Sequence, residues 1–251
     1  MRILLPLLLL AATPIVAQPR VAHVVVALCD NQYQGIVKVP EGIGNGQKPS
    51  TNLYWGCGYG VKTHFNRSEE WIQVPSTKPT AAHILDRVIW KHRDSAVYLV
   101  ADAYDGRNIR EATEDLLRYA SGAAPERIAV NGTTINAGGG AQLIGYVGHD
   151  GLMDFTLEKE FPAKDDAARR TIILACISKN FFAPHLQKTG ASPLVWTTGL
   201  MAPEAYTLKA ALKGWVARET DASIRERAAA AYDKYQKCGI NAARRLLVTG
   251  W

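Results

Sequence analysis

The chain has 251 residues, of which 47% are hydrophobic and 21% are charged, and its formal net charge is +6. These values are close to those of ordinary globular proteins and exclude an extended disordered chain. The basic residues are scattered and form no stripe interleaved with aromatic residues, so the sequence does not favour nucleic acid as a partner.

The first 17 residues have the pattern of a secretory signal peptide. Arg2 precedes an apolar run over residues 3–10, and a region of small residues ends at Ala17. The run is too short to cross a bilayer as a finished helix. We therefore expect cleavage after Ala17, a secreted or periplasmic protein, and no stable membrane anchor.

Export makes disulfide bonds permissible in the mature chain. The mature chain keeps four cysteines, Cys29, Cys57, Cys176 and Cys238. Four cysteines allow three complete pairings, and the sequence does not choose among them.

Continuous runs of Val, Ile and Leu predict five strands, each buried on both faces of a parallel sheet. They cover residues 22–28, 95–106, 143–148, 171–175 and 192–199.

Segments with helical spacing of apolar residues separate these strands. They predict helices over residues 107–122 and 180–190, and a mainly helical chain after residue 203. We expect the polar segment 151–170 to be partly helical at its end. The last residues, 239–251, are expected to add a further helical turn or two.

Shorter segments complete the predicted sheet. The alternating residues of 71–74 and 84–93 predict strands or a hairpin appended to it. The Asn-Gly pair at 131–132 predicts the turn of another hairpin within residues 123–140. The succession of strands and helices predicts an α/β fold, a three-layer sandwich with a mostly parallel central sheet, as one domain over residues 18–251.

Two of the predicted strands each end in a reactive side chain. His149 follows strand 143–148, and Cys176 follows strand 171–175. The carboxyl edge of a parallel sheet is where ligands and catalytic groups collect, so neighbouring strands would present these two side chains together. A thiol is a strong nucleophile only as thiolate, and imidazole is suited to accept its proton near neutral pH.

Acyl transfer also needs donors for the carbonyl oxygen as it becomes charged. Backbone N–H groups in the turn after His149 and at Cys176 are placed to provide them. The pair therefore predicts a thioester intermediate followed by hydrolysis. The sequence contains no His-Glu-x-x-His and no paired Cys-x-x-Cys, so it predicts neither a metal nor another cofactor.

An apolar strand that ends in His followed closely by Gly, and a second one that ends in Ala-Cys, resemble the caspase, gingipain and legumain group of cysteine peptidases. The resemblance implies the caspase-hemoglobinase fold, an α/β sandwich, and a peptide or protein substrate. It implies His149 as general base and acid, Cys176 as nucleophile, and the backbone of Asp150 and Gly151 as part of the oxyanion hole.

The chain departs from that family in both motifs. Asp150 stands between His149 and Gly151, and Leu174 and Ile177 occupy positions that the family fills differently. These departures leave a second hypothesis open, a non-catalytic exported binding or scaffold protein on the same fold.

Four further residues are candidates for the site. Asp30 and Asp102, at predicted strand ends, are candidates to bind a basic substrate side chain, and solvated loop carboxylates are the alternative. Thr197 follows the fifth strand, where the resemblance implies a substrate-binding wall. Cys57 is a second candidate nucleophile at the start of a helix near 57–66, and a small buried residue in a tight aromatic loop is the alternative.

Overall fold

The computed structural model describes residues 18–251, and the predicted signal peptide lies outside the described residues. The strands are β1 (Arg20–Ala27), β2 (Trp71–Val74), β3 (Ile84–His92), β4 (Val97–Tyr104), β5 (Pro125–Val130), β6 (Thr133–Gly138), β7 (Leu143–Val147), β8 (Arg170–Leu174), β9 (Ser192–Thr197) and β10 (Leu247–Val248). The helices are α1 (Val61–Asn66), α2 (Ile109–Ala120), α3 (Ser178–Thr189), α4 (Ala205–Val216), α5 (Asp221–Gln236) and α6 (Ile240–Leu246).

Eight of the strands form one mixed sheet in the order β10-β9-β8-β7-β1-β4-β3-β2, and β5 and β6 form a separate hairpin. The central strands β4, β1, β7, β8 and β9 are parallel, while β2, β3 and β10 pair antiparallel with their neighbours. The five predicted parallel strands and both predicted hairpins are therefore confirmed.

Helices cover both faces of this sheet, which gives a three-layer α/β arrangement. Helices α2 and α3 pack with the β5–β6 hairpin on one face, and α1, α4 and α5 pack on the other. The central strands bury side chains on both faces, as their continuous apolar sequences predict. Burial of these side chains against two helical layers is the main term that stabilises the sheet.

One of the predicted elements is wrong. Segment 151–170 contains a 3-10 turn at Gly151–Met153 and no α-helix at its end, because it carries few apolar residues at helical spacing, and Phe161 is its one deeply buried apolar residue beyond the turn. The further helical turn or two expected within residues 239–251 is confirmed by α6, and the short strand β10 follows it. Leu247 is fully buried, and β10 pairs with β9, whose backbone groups would otherwise form an open edge.

The register of β7 and β8 sets the position of the reactive residues. Val147 and Leu174 are paired at the ends of the two strands. His149 and Cys176 each lie two residues beyond this pair, so both emerge at the same edge of the sheet. All four cysteines are free, and within residues 18–251 we find no helix long and apolar enough to cross a membrane.

Candidate functional site

His149 and Cys176 line one cavity of about 300 Å³ at the carboxyl edge of the sheet. Loops after β1 and β9 form its other walls. Besides two glycines and a proline, the remaining lining residues are Ile36, Val37, Tyr54, Met153, Leu200 and Met201. The pair predicted from the two strand ends is thus brought together in one concave site.

The turn that carries Cys176 is strained. Ile177, the next residue, has φ +50° and ψ +29°, a left-handed conformation that is rare for a β-branched residue. Such outliers persist where the surrounding structure holds them, and they cluster at functional sites. The turn lets β8 pass directly into α3 and leaves the Cys176 side chain partly exposed at the bend.

Thr197 and Ser178 hold this turn through hydrogen bonds. The Thr197 hydroxyl donates to the Ala175 carbonyl and accepts from the Ser178 N–H at 3.1 Å, and the Ser178 hydroxyl accepts from the Thr197 N–H at 3.0 Å. Thr197 is fully buried and does not line the cavity. Its role in the structure is to support the cysteine turn rather than to form a substrate-binding wall.

Two features lie beside the Cys176 sulfur. The Met201 N–H lies 3.4 Å from the sulfur and donates to it. Helix α3 starts two residues later. No hydrogen bond joins the thiol to the His149 ring within the described part of the chain.

Asp154, which the sequence interpretation missed, is the partner of His149. Its Oδ2 atom lies 2.8 Å from His149 Nε2 and accepts the Gly35 N–H at 2.9 Å. Gly35 permits this approach, since a Cβ there would lie 2.3 Å from Asp154 Oδ1. The only signal in the sequence is a carboxylate five residues after the histidine, and that spacing indicates a contact only once the 3-10 turn is known.

The contact with Asp154 assigns roles to the two ring nitrogens of His149. An acceptor at Nε2 favours the tautomer that carries the proton there, which leaves Nδ1 as the basic nitrogen. The His149 carbonyl also accepts the Tyr146 hydroxyl at 2.8 Å, and the His149 side chain is 5% exposed. The imidazole is therefore fixed in orientation at the cavity wall.

The N–H groups of Gly151 and Cys176, the two backbone donors expected for an oxyanion, donate to no protein acceptor within residues 18–251. Cys176 lines the cavity, whereas Gly151 is buried and does not line it. Asp150 is fully buried, and its side chain turns inward, where Oδ1 accepts the Leu152 N–H at 3.0 Å. The residue inserted between His149 and Gly151 therefore caps the turn and does not enter the cavity.

Asp150 is a poorly solvated carboxyl group. Its Oδ2 atom is buried and has no hydrogen-bond partner in the described structure. Burial raises the pKa of Asp150 from 3.8 to about 7, the Leu152 N–H opposes this shift, and the nearby Asp154 charge adds to it.

We expect Asp150→Asn to remove a pH-dependent loss of stability. Because the folded-state pKa lies above the ordinary value, the folded chain binds more protons than the unfolded chain between these values, and its stability falls as pH rises through this window. Urea unfolding should show wild type losing roughly 3 kcal/mol relative to the variant from about pH 4 to about pH 8. Asp166→Asn, at an exposed position, is the control. Parallel pH profiles for wild type and Asp150→Asn would contradict the assignment.

The other predicted residues lie outside the cavity. Asp30 is 2% exposed, and its side chain accepts from the Gln32 and Gln47 nitrogens at 2.8 and 2.6 Å. Asp102 lies within β4 rather than at its end and is fully buried. Cys57 is partly exposed, precedes α1 by four residues and does not line the cavity.

Within residues 18–251, no group of three or more His, Cys, Asp or Glu side chains is arranged to hold a metal ion. Comparison of the chain with protein-family models, curated proteins and solved structures finds no significant match.

Proposed function

We propose that this chain is an exported cysteine hydrolase of the caspase-like type, a peptidase that acts through Cys176 and His149. The observation that carries the proposal is the shared cavity at the ends of two neighbouring parallel strands, with Asp154 at Nε2 of the histidine. Nucleophile, base and a group that orients the base are the three parts of an activated cysteine site.

The reaction follows from these roles. His149 Nδ1 accepts the thiol proton, and the Cys176 thiolate attacks the substrate carbonyl carbon to give a tetrahedral oxyanion. The Cys176 N–H, at the cavity wall, stabilises that oxyanion. The amide C–N bond then breaks as His149 returns the proton to the leaving amine, which leaves a thioester on Cys176. Water, deprotonated by His149, attacks the thioester and releases the acid and the free thiol.

The alternative, a non-catalytic binding or scaffold protein on the same fold, is favoured by one observation. The Cys176 thiol contacts the Met201 backbone and makes no direct hydrogen bond to His149. Catalytic hydrogen bonds are often loose before substrate binds, so this geometry does not exclude the dyad. Thiol reactivity separates the two hypotheses.

We expect Cys176 to react with iodoacetamide faster than the partly exposed Cys57 and the exposed Cys238 at pH 6.5. The rate should be at least about tenfold higher, because a thiol paired with imidazole is thiolate at a pH where a free thiol is not. Peptide mass spectrometry after timed labelling measures each rate in the same sample. His149→Ala should lower the Cys176 rate to that of Cys238, and Asp154→Asn should give an intermediate rate.

Asp166→Asn, a change at an exposed carboxylate with no role in the site, should leave the labelling rate of Cys176 unaltered. If Cys176 reacts no faster than the other cysteines, and His149→Ala does not change its rate, the scaffold hypothesis is the better account.

A further inference from the structure

We infer that the cavity beside Cys176 selects peptides with a large, uncharged, apolar side chain on the acyl side of the cleaved bond. This inference rests on the proposed function and names the class of its substrate. It follows from the charge, the size and the flexibility of the cavity walls.

Within residues 18–251, the cavity wall carries no carboxylate, lysine or arginine, and His149 is its one ionisable base. Tyr54 remains a neutral phenol, because burial raises its pKa well above the ordinary value. A charged substrate side chain would lose water there without gaining a counter-ion, which is unfavourable. An apolar side chain gains from the same transfer.

The carboxylates near the cavity already accept hydrogen bonds from other protein groups. Asp154 accepts from His149 and Gly35. Asp30 accepts from side-chain and backbone nitrogens of its own loop and lines a different surface depression. Glu204, which follows the lining residue Pro203, accepts the Tyr206 hydroxyl at 3.0 Å. None of these carboxylates faces the cavity as a partner for a basic side chain.

Three large apolar side chains at the rim of the cavity are exposed to solvent. Val37 is 92% exposed, Leu200 is 71% exposed, and Met153 is 40% exposed. Large apolar side chains that remain exposed together mark a binding surface. A volume of about 300 Å³ is at the small end of ligand sites, which suits one side chain and its adjoining backbone. Two methionines, Met153 and Met201, let the walls adapt to side chains of different shape.

The test uses a matched set of acyl-dipeptide aminocoumarin substrates that differ only in the residue before the scissile amide: Leu, Met, Phe, Asn, Arg or Asp. We expect kcat/KM for Leu, Met and Phe to exceed that for Arg and Asp by about 10²-fold. Acyloxymethyl ketones carrying the same residues should label Cys176 with the same order of rates. Labelling gives the ranking even where turnover is slow.

Val37→Asp places a carboxylate on the exposed rim and should raise the Arg-to-Leu ratio of kcat/KM at least about tenfold. Ile72→Asp, at a partly exposed position on the far edge strand β2, is the matched control and should leave the ratio unchanged. Cleavage that depends on Cys176 but is fastest for Arg or Asp would overturn the inference and leave the proposed function intact. Absence of both cleavage and Cys176 labelling with every residue would overturn the proposed function itself.

Discussion

Replacing Cys176 by alanine should abolish peptide hydrolysis, lowering kcat by at least about 10³-fold. The substitution removes the atom that forms the thioester, and no other thiol lines the cavity within the described residues. Cys176 is partly exposed, and within the described residues its sulfur forms hydrogen bonds only with the Met201 backbone, so the fold should be retained. Initial rates on the Leu substrate, with a thermal unfolding curve for each variant, measure both effects.

Two controls separate chemistry from packing. Cys176→Ser is nearly isosteric, yet a hydroxyl is far less acidic than a thiol, so this variant should lose almost as much activity as Cys176→Ala. Cys238→Ala should keep full activity, because Cys238 is exposed, does not line the cavity and donates its thiol to the adjacent Gly239 carbonyl. Hydrolysis that persists in Cys176→Ala with its fold intact would remove Cys176 from the mechanism.

The central sheet and the His149–Cys176 pair could be predicted from the sequence for one physical reason. Strands buried on both faces must be continuously apolar, so their ends are visible as the first polar or reactive residues. Parallel strands also align their carboxyl ends, and the Val147–Leu174 pairing places the two residues at matching positions. Strand type and the position of each strand end thus follow from a local pattern, whereas the pairing of β7 with β8 is a finding of the structure.

Asp154 could not be predicted in the same way. Its contact with His149 depends on the 3-10 turn at Gly151–Met153, which reverses the chain after β7. That turn is held by the inward-facing Asp150 carboxyl group, and nothing in the periodicity of the segment indicates it. The sequence shows Asp150 as an interruption of a family motif, whereas the structure makes it the cap that brings Asp154 back to the histidine.

The sequence wrongly predicts Asp102 as a residue of the site. A lone carboxylate near the end of an apolar run resembles a strand-end residue, because its partners are remote in sequence. In the structure its two oxygens accept Arg87 Nε and Nη2, both at 2.6 Å, and Oδ2 also accepts His23 Nε2 at 3.0 Å. Arg87 in turn binds Glu126 of the hairpin, and His23 Nδ1 accepts the Gly138 N–H at 2.8 Å. The group therefore ties β1, β3 and β4 to the hairpin that covers them.

Asp102→Ala should lower the free energy of unfolding by roughly 3–5 kcal/mol at pH 7, since it leaves the nearly buried Arg87 guanidinium without its main counter-ion. Urea unfolding measures the change. Glu226→Ala, which breaks the surface pair with Arg244, should cost less than about 1 kcal/mol. The double variant Asp102→Leu with Arg87→Met should recover part of the loss, because the buried Arg87 charge is then removed together with its counter-ion.

The pH dependence of the same substitution follows from the pKa of Asp102. Burial opposes ionisation, but the Arg87 hydrogen bonds and the neighbouring charges outweigh it and hold the folded-state pKa below its ordinary value. The stabilisation is therefore fully present above the unfolded pKa of about 3.9 and is lost as pH falls further. The difference between wild type and Asp102→Ala should shrink as pH falls below about 4. A difference under about 1 kcal/mol at pH 7 would contradict this prediction, because it would mean that the buried Arg87 guanidinium does not need Asp102 as its counter-ion.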